Sequence, residues 1–416
     1  MTMSSVDTLK IRNAAEVEEA VKAALAAEAP LEIVGHGTKR AIGQPLAPCR
    51  ALDLSALDAV CDYEPSELVL TVQAGAPLAD VTSLIDSKNQ EFAFEPMDTS
   101  MLLGTAPGRG TVGGMIASAF AGPRRIKAGA ARDHLLGATA VSGFGETFKA
   151  GGKVVKNVTG YDLCKLIAGS WGTLAVITEA TIKVMPKAES EATLVLRGLD
   201  AVTANRAMTL ALGSPFDVSG AAHVPASALS HGGVLAELDG GRRGLTLLRL
   251  EGIGASVANR VGSLTAALRN FGGVDVAGEE SRRIWAAIRD VAPFSAAGPL
   301  GAWAVWRIVC PPAAGGELGQ ALARETGGDL MYDWGGGLIW LAMPPTSDAG
   351  AGRVRSRLDA VGAHASLIRA GEDVRAAVDV FQPQGAGLAA LSDRLKRSFD
   401  PMHILNRSRL VRSVGP

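Results

Sequence analysis

The sequence is poor in the features that mark several large classes of protein. Its 416 residues carry a formal net charge of −1 and only 5% aromatic side chains, so the charge balance gives no reason to expect nucleic-acid binding. No apolar run reaches the roughly 20 residues that a membrane-spanning helix needs. Residues 1–10 lack the basic start and apolar core of a signal peptide. We therefore expect a cytoplasmic protein with at most peripheral membrane association.

Cysteine and histidine are too few and too scattered to suggest a metal site. The four cysteines include no C-x-x-C pair, and the six histidines show no H-E-x-x-H or other short ligand spacing. Iron–sulfur clusters and structural zinc sites need ligands grouped in this way. We therefore expect no metal and no one-electron relay in this chain, and we interpret the cysteines as buried structural thiols.

Glycine, in contrast, is abundant, and its most informative positions lie between residues 107 and 184. Three blocks stand out: P-G-R-G-T-V-G-G at 107–114, V-K-N-V-T-G-Y-D at 155–162, and G-S-W-G-T-L-A-V-I-T-E at 169–179. Glycines at turns between short β-branched runs let backbone N–H groups approach an anionic ligand. A helix predicted over residues 111–119 adds free N–H groups that favour phosphate. We predict a diphosphate site, although a tight turn that packs small residues beneath a helix gives the same pattern.

A second glycine turn follows the first buried strand. Asn13 can cap a helix over residues 14–27, and the strand at 31–34 runs into Gly35-His36-Gly37-Thr38-Lys39. Gly35 and Gly37 permit positive φ, and Thr38 offers a hydroxyl. This turn can bind phosphate, but His36 also has a purely structural interpretation. A basic cluster beside the predicted site could meet phosphates, a substrate carboxylate, solvent or another subunit; its members are Arg124, Arg125, Lys127 and Arg132.

Taken in order, these blocks resemble the FAD-binding domain of the vanillyl-alcohol oxidase/p-cresol methylhydroxylase (PCMH) flavoprotein family. The G-P-R-R turn at 122–125 and the K-N-V-T-G-Y-D block at 156–162 look most like the FAD-binding subunit of bacterial glycolate oxidase. A C-terminal K-x-x-F-D-P-x-x-I-L-N pattern, from Lys396 to Asn406, is similar to a family signature that folds back toward the flavin domain.

The resemblance implies that FAD is held by residues of three turns. Some relatives attach the flavin covalently through a histidine in the turn that corresponds to residues 35–39. In those relatives the histidine follows a glycine pair, whereas His36 stands between two glycines, so the resemblance favours non-covalent FAD. The implied cofactor-binding residues are Gly35, His36, Gly37, Thr38, Lys39, Pro107, Gly110, Thr111, Val112, Gly113, Gly114, Gly169, Ser170, Gly172, Thr173 and Ile177.

The predicted fold class is α+β. The first polar, proline-marked break after the glycine blocks lies at residues 186–191. We therefore predict a PCMH-type FAD-binding domain at 1–187, an α+β cap domain at 188–390, and a tail at 391–416 that returns to the FAD domain. The order strand, helix, strand, strand, helix, strand over residues 302–369 predicts a ferredoxin-like unit in the cap.

The resemblance implies glycolate oxidation to glyoxylate within a complex. Its other members would be a larger FAD-binding catalytic subunit and an iron–sulfur subunit, and the substrate would be a small 2-hydroxy acid. The histidine-rich metal motif and the G-D-G-N-x-H element of family members that oxidise such acids are missing here. We therefore expect this chain to bind FAD and carry electrons while a partner oxidises the substrate. The alternatives are a self-contained FAD-dependent oxidoreductase and an assembly subunit without redox activity.

Overall fold

A computed structural model describes residues 7–153, 160–238 and 242–412. The block predicted to lie near the flavin, residues 156–162, falls mostly outside these ranges.

The strands are, in chain order, β1 (Thr8–Lys10), β2 (Leu31–Val34), β3 (Arg50–Asp53), β4 (Val60–Glu64), β5 (Val69–Gln73), β6 (Gln90–Glu91), β7 (Leu135–Ser142), β8 (Thr147–Gly151), β9 (Ala175–Lys183), β10 (Met185–Pro186), β11 (Ser190–Arg197), β12 (Gly220–Val224), β13 (Leu245–Gly252), β14 (Val274–Ala277), β15 (Ala304–Val309), β16 (Asp329–Asp333), β17 (Leu338–Met343) and β18 (His364–Arg369).

The α-helices are α1 (Ala14–Ala26), α2 (Leu78–Asp86), α3 (Ser100–Leu103), α4 (Val112–Ser118), α5 (Arg125–Ala128), α6 (Ala131–His134), α7 (Leu163–Ile167), α8 (Ala201–Leu212), α9 (Ala226–Leu229), α10 (Val234–Glu237), α11 (Gly254–Ala267), α12 (Ser281–Arg289), α13 (Gly315–Thr326), α14 (Ala351–Ser356), α15 (Glu372–Ala377) and α16 (Ala386–Phe399). None of the helices within the described ranges is long and apolar enough to cross a membrane.

The first helix forms as its sequence predicts. Asn13 caps α1, because its side-chain oxygen accepts a hydrogen bond from the Glu16 N–H at 3.0 Å. Val17 and Val21, one turn apart, are fully buried, and they belong to the core that also contains β2 and β3 residues. β1, β3 and β2 form a parallel three-stranded sheet in that order.

A five-stranded antiparallel sheet follows, with the order β4-β5-β9-β7-β8. Its β7–β8 hairpin pairs Gly137 with Gly151 and Val141 with Thr147. The helix predicted over 111–119 is also confirmed as α4, which packs its Val112, Met115 and Ile116 into the core shared with this sheet. This packing brings the start of α4 next to the turn that follows β2.

The second half of the chain forms one eight-stranded sheet with the order β14-β11-β13-β12-β16-β17-β15-β18. The segment from β15 to β18 confirms the predicted ferredoxin-like unit, since β15 and β17 occupy the centre of that unit's antiparallel sheet. The segment from β11 to β14 repeats the same arrangement, and the two units join where His223 of β12 pairs with Tyr332 of β16. This repeat was not predicted, because β12, G-A-A-H-V, and the short β14 carry weak strand signals.

The two faces of the large sheet have different neighbours. Helices α8, α11, α13 and α14 contribute to the cores on one face. The other face contributes to a core that also contains Ile42, Met97, Leu102 and Phe120 from the N-terminal half. Arg307 is directly opposite Trp340, and Asp333 is directly opposite Leu338 on the same β17 strand. Because side chains two residues apart share a sheet face, Arg307 and Asp333 both belong to this second face.

The C-terminal segment lies against the beginning of the chain. The Leu31 N–H donates to the Ile404 carbonyl at 2.7 Å, and the Asn406 N–H donates to the Leu31 carbonyl at 2.9 Å. Near the predicted break at residue 187, β10 still pairs with β6, and β11 begins at Ser190. The exact domain boundaries stay predictions.

Candidate functional site

A cleft lies where the turn after β2, the start of α4 and the strand β9 meet. It contains about 790 Å³ of empty space, part of it open to solvent. Ten of the predicted cofactor-binding residues line it: Gly35, His36, Gly37, Thr38, Lys39, Thr111, Gly113, Gly114, Gly172 and Ile177.

The turn at residues 35–39 provides backbone donors that the protein does not use. Within the described part of the chain, none of its five consecutive N–H groups donates a hydrogen bond. Gly37 has a φ of +70°, a conformation that is easily reached only without a Cβ atom. Consecutive backbone N–H groups in such a turn form a concave site for an anion.

Lys39 places a cation beside these donors. Its side chain makes no hydrogen bond or ion pair in the residues that the structure describes. Burial lowers the pKa of the Lys39 ammonium, and attraction to Asp98 partly offsets this effect. A partly desolvated cation without a close counter-charge favours an anionic ligand.

Close packing explains why small residues are needed on the α4 side of the cleft. A Cβ atom on Gly113 would lie 2.8 Å from the Ala74 Cβ and 2.9 Å from the Ala74 carbonyl oxygen. A Cβ atom on Gly35 would lie 2.7 Å from the Thr111 side chain. Gly35 therefore lets the turn after β2 approach the start of α4, and Gly113 lets α4 approach the residue that follows β5.

The predicted free N–H groups at the start of α4 are not free, and this part of the prediction is wrong. The Val112 and Gly113 N–H groups donate to the carbonyls of Ala76 and Ala74 at 3.0 and 2.7 Å. The Gly114 N–H donates to the Thr111 hydroxyl at 3.2 Å. The unused donors belong to the turn at residues 35–39 instead.

Six predicted residues do not line the cleft. Val112 is in the core, the Gly110 carbonyl accepts from the Leu78 N–H, and the Gly169 N–H donates to the Ile116 carbonyl. Thr173 and Ser170 are buried, and the Ser170 hydroxyl is one of the buried polar groups that find no partner in the described residues. Pro107 completes the set, and all six remain predictions.

His36 is held in place by a hydrogen bond. Its Nδ1 lies 3.0 Å from the Arg109 carbonyl oxygen, and because a carbonyl can only accept, Nδ1 carries the proton of this bond. The contact joins the turn after β2 to the glycine block before α4.

The basic cluster predicted beside the site divides into different environments. Arg124 forms ion pairs with Glu91 at 2.7 Å and Glu251 at 2.6 Å, and Lys127 pairs with Asp217. Arg132 donates to the Ala168 carbonyl at 3.4 Å. The Arg125 guanidinium stands 4.7 Å from the centre of the Trp334 ring. Arg124 therefore has a structural role, joining the N-terminal half to the large sheet.

Two C-terminal residues that were not among the predicted cofactor-binding residues also line the cleft, Asn406 and Arg409. The Asn406 side chain accepts from the Ile33 N–H at 2.8 Å and donates to the Trp171 carbonyl at 2.7 Å. Arg409 donates to the Ile42 carbonyl at 2.7 Å and approaches Glu32 at 3.3 Å. The family-like pattern ending at Asn406 was the available signal, but sequence alone does not show which strand it meets.

The site therefore suits an elongated ligand with a diphosphate. Among the described residues, the cleft is lined by backbone donors that lack protein acceptors and by a lysine that forms no ion pair. Apolar or small residues form other parts of its wall, including Ala74, Ala117, Ala175 and Ile177. This combination of few polar groups and an apolar wall is typical of cofactor sites.

Comparison with known proteins agrees with this geometry. A family model described as an FAD binding domain matches residues 8–151. The chain is 30% identical over 394 residues to glycolate oxidase subunit GlcE of Escherichia coli (strain K12), covering 94% of this chain and 95% of that protein. It is 31% identical over 185 residues to glycolate oxidase subunit GlcD of Bacillus subtilis (strain 168), covering 44% of this chain and 38% of that protein.

Two solved structures share the fold at low sequence identity. The 4-ethylphenol oxidase from Gulosibacter chungangensis has a TM-score of 0.72 at 14% identity, covering 98% of this chain and 89% of its own. p-Cresol methylhydroxylase with bound substrate has a TM-score of 0.71 at 14% identity, covering 97% and 88%. Together with the full-length similarity to GlcE, these findings show that the chain belongs to the GlcE-like group of the vanillyl-alcohol oxidase/p-cresol methylhydroxylase family of FAD-binding flavoproteins.

Proposed function

We propose that this chain is the FAD-binding subunit of a glycolate oxidase complex that converts glycolate to glyoxylate. The observation that carries this proposal is the cleft lined by residues 35–39, where unused backbone donors lie beside the unpaired Lys39. Similarity to GlcE over nearly the full length of both proteins supports the same activity.

In this proposal, FAD binds without a covalent bond. The backbone of residues 35–39 and the Lys39 ammonium hold its diphosphate. The N–H groups are donors without protein acceptors in the described residues, and the ammonium is positively charged. Thr111, Gly113 and Gly114 give this part of the ligand room, and Gly172 and Ile177 contact it from the wall formed by β9 and its preceding turn. His36 fixes the turn through Arg109 and forms no bond to the flavin.

When bound, FAD supplies a ring that accepts a hydride and returns electrons singly or in pairs. The chain's own residues hold and orient that ring and exclude water from it. We further propose that electrons leave toward a larger FAD-binding catalytic subunit and an iron–sulfur subunit, which would account for any peripheral membrane association. The similarity to proteins named as subunits of glycolate oxidase, GlcE and GlcD, supports a complex of several chains.

Affinity purification of the tagged chain from its own cells tests this function. We expect a second flavoprotein and an iron–sulfur protein to co-purify, and glycolate to reduce an artificial acceptor in that preparation. The same purification with Lys39→Met should retain the partners but lose flavin from this chain. A chain that purifies alone, with no glycolate-dependent reduction in any fraction, would contradict the proposal.

A further inference from the structure

A half-buried arginine on the large sheet contacts two aromatic rings. The Arg307 guanidinium of β15 stands 5.1 Å from the centre of the Trp334 ring and 5.7 Å from that of Phe120. Phe120 in turn meets Trp171, with ring centres 5.7 Å apart. Because Trp171 lines the cofactor cleft, a chain of ring contacts connects Arg307 to that cleft.

Arg307 has no polar partner of its own. Its guanidinium makes no hydrogen bond and no ion pair with any residue in the described ranges. Burial, with a smaller contribution from Arg125, lowers the pKa of the Arg307 guanidinium to about 10, so the group remains charged near neutral pH. Protein encloses most of the side chain, but part of its surface stays accessible.

Arg249 on the same face of the sheet shows what a partnered buried arginine looks like. It is 1% exposed, and its guanidinium donates to both Glu95 oxygens at 2.7 and 3.0 Å. It also approaches Glu251 at 3.2 Å. A buried charge normally needs such partners, because an unpaired one is strongly destabilising. The contrast makes the unpaired Arg307 a candidate for binding an anion.

A second guanidinium approaches the same indole ring. Arg125 stands 4.7 Å from the centre of the Trp334 ring, and its side chain has no hydrogen-bond or ion-pair partner in the described residues. Arg125 is exposed, whereas Arg307 is enclosed. The pair therefore extends from solvent toward the interior along Trp334.

The Asp333 carboxyl group attracts Arg307 electrostatically but does not pair with it in the described residues. Asp333 lies on the same sheet face and accepts a hydrogen bond from the Trp334 N–H at 2.7 Å. It forms no ion pair within 4 Å with any residue that the structure describes. Burial raises the pKa of Asp333 to about 7, so a large fraction of this carboxyl is neutral at physiological pH. An external anion would compensate the charge of Arg307 that Asp333 does not neutralise.

We propose that Arg307 and Arg125, beside the Trp334 ring, bind the carboxylate of a small 2-hydroxy acid on this chain. Guanidinium groups suit this role because they donate two parallel hydrogen bonds to a carboxylate. The identity of the acid rests on the proposed function, whereas the anion site rests on the contacts of Arg307. The site gives the chain its own substrate-binding group, in contrast to our expectation that the substrate binds only on a partner.

Calorimetric titration of the purified full-length chain with oxalate, an unreactive small dicarboxylate, tests the site. We expect Arg307→Gln to weaken oxalate binding at least tenfold, and Arg307→Lys to weaken it less because the charge is kept. Arg206→Gln removes an exposed arginine of α8 and should leave the affinity unchanged. Circular dichroism and the melting temperature establish that each variant is folded.

Two results would overturn the proposal: wild-type protein that binds no oxalate, or Arg307→Gln that binds it as tightly as wild type does. The FAD content of each sample separates this outcome from failure of the proposed function. Arg307-dependent oxalate binding by a chain that takes up no FAD would support the anion site and contradict the function. An FAD-loaded chain without oxalate binding would do the reverse.

Discussion

The side-chain oxygen of Asn406 lies 2.8 Å from the backbone nitrogen of Ile33, although 373 positions separate the two residues in sequence. Ile33 belongs to β2, which leads directly into the turn at residues 35–39. The same asparagine also donates to the Trp171 carbonyl on another side of the cleft. The C-terminal segment therefore fixes the strand that presents the proposed diphosphate site.

Replacing Asn406 with alanine should weaken FAD binding by about threefold or more and lower the melting temperature. The partly buried Ile33 N–H would lose its acceptor, and an unsatisfied buried group costs about 1–3 kcal/mol. Fluorescence titration of the FAD-stripped protein measures the affinity. Arg407→Ala, at an exposed neighbouring position, is the control; equal losses in both variants would refute a specific role for Asn406.

Replacing Lys39 with methionine should weaken FAD binding by roughly ten- to hundredfold, since a hydrogen bond to a charged group contributes about 1.5–3 kcal/mol. The free energy of unfolding of the FAD-free chain should not fall, because the variant removes a buried and unpaired charge. The same titration measures the affinity, with Lys88→Met, at an exposed lysine, as the control. Wild-type affinity in Lys39→Met would mean that the diphosphate lies elsewhere.

Two glycine substitutions test whether a glycine matters for stability because of close packing around it. Gly113→Ala should destabilise the chain by about 1–3 kcal/mol, because its Cβ would lie within 2.9 Å of Ala74 atoms. Gly110→Ala places a Cβ with nothing within 4 Å and should have little effect. Urea unfolding measures both variants. Similar stabilities for the two would show that α4 shifts without penalty.

Asp333 should give the chain an unusual pH dependence. Burial raises the pKa of this carboxyl to about 7, with Glu95 raising it further and Arg249 and Arg307 lowering it. Because the pKa of Asp333 is raised in the folded state, its contribution to the free energy of unfolding is complete below the unfolded-state pKa. This contribution is lost as pH rises through the folded-state pKa.

Asp333→Asn removes this loss. The free energy of unfolding of the variant minus that of wild type should therefore be larger at pH 8 than at pH 5, by roughly 2–3 kcal/mol. Urea unfolding of both proteins at the two pH values measures the difference, and other titrating groups cancel in the comparison. A constant difference between the proteins would show that Asp333 is ionised throughout this range.

Local signals in the sequence predicted local structure well. The Asn13 cap, the helix that follows it and the strand at residues 31–34 depend on neighbouring residues, and the structure confirms each of them. The first ferredoxin-like unit was missed because its strand β12 is built from small residues and is recognisable only through its pairing with β13 and β16.

The site was predicted less completely because part of it depends on contacts between distant residues. Glycine turns could be found from their composition, but whether their N–H groups are free depends on partners such as Ala74 and Ala76. Arg307 lies in an ordinary strand sequence, and only the structure brings it to Phe120 and Trp334 without a counter-charge. Asn406 could be placed in a family-like pattern, but its contact with Ile33 could not be predicted.

Titration of the FAD-stripped chain with FAD tests the central claim most directly, with the bound flavin counted after acid precipitation. We expect one FAD per chain, released completely into the supernatant because no covalent bond forms. A correctly folded chain that takes up no FAD at a large excess would contradict the assignment of the cleft and the redox function built on it.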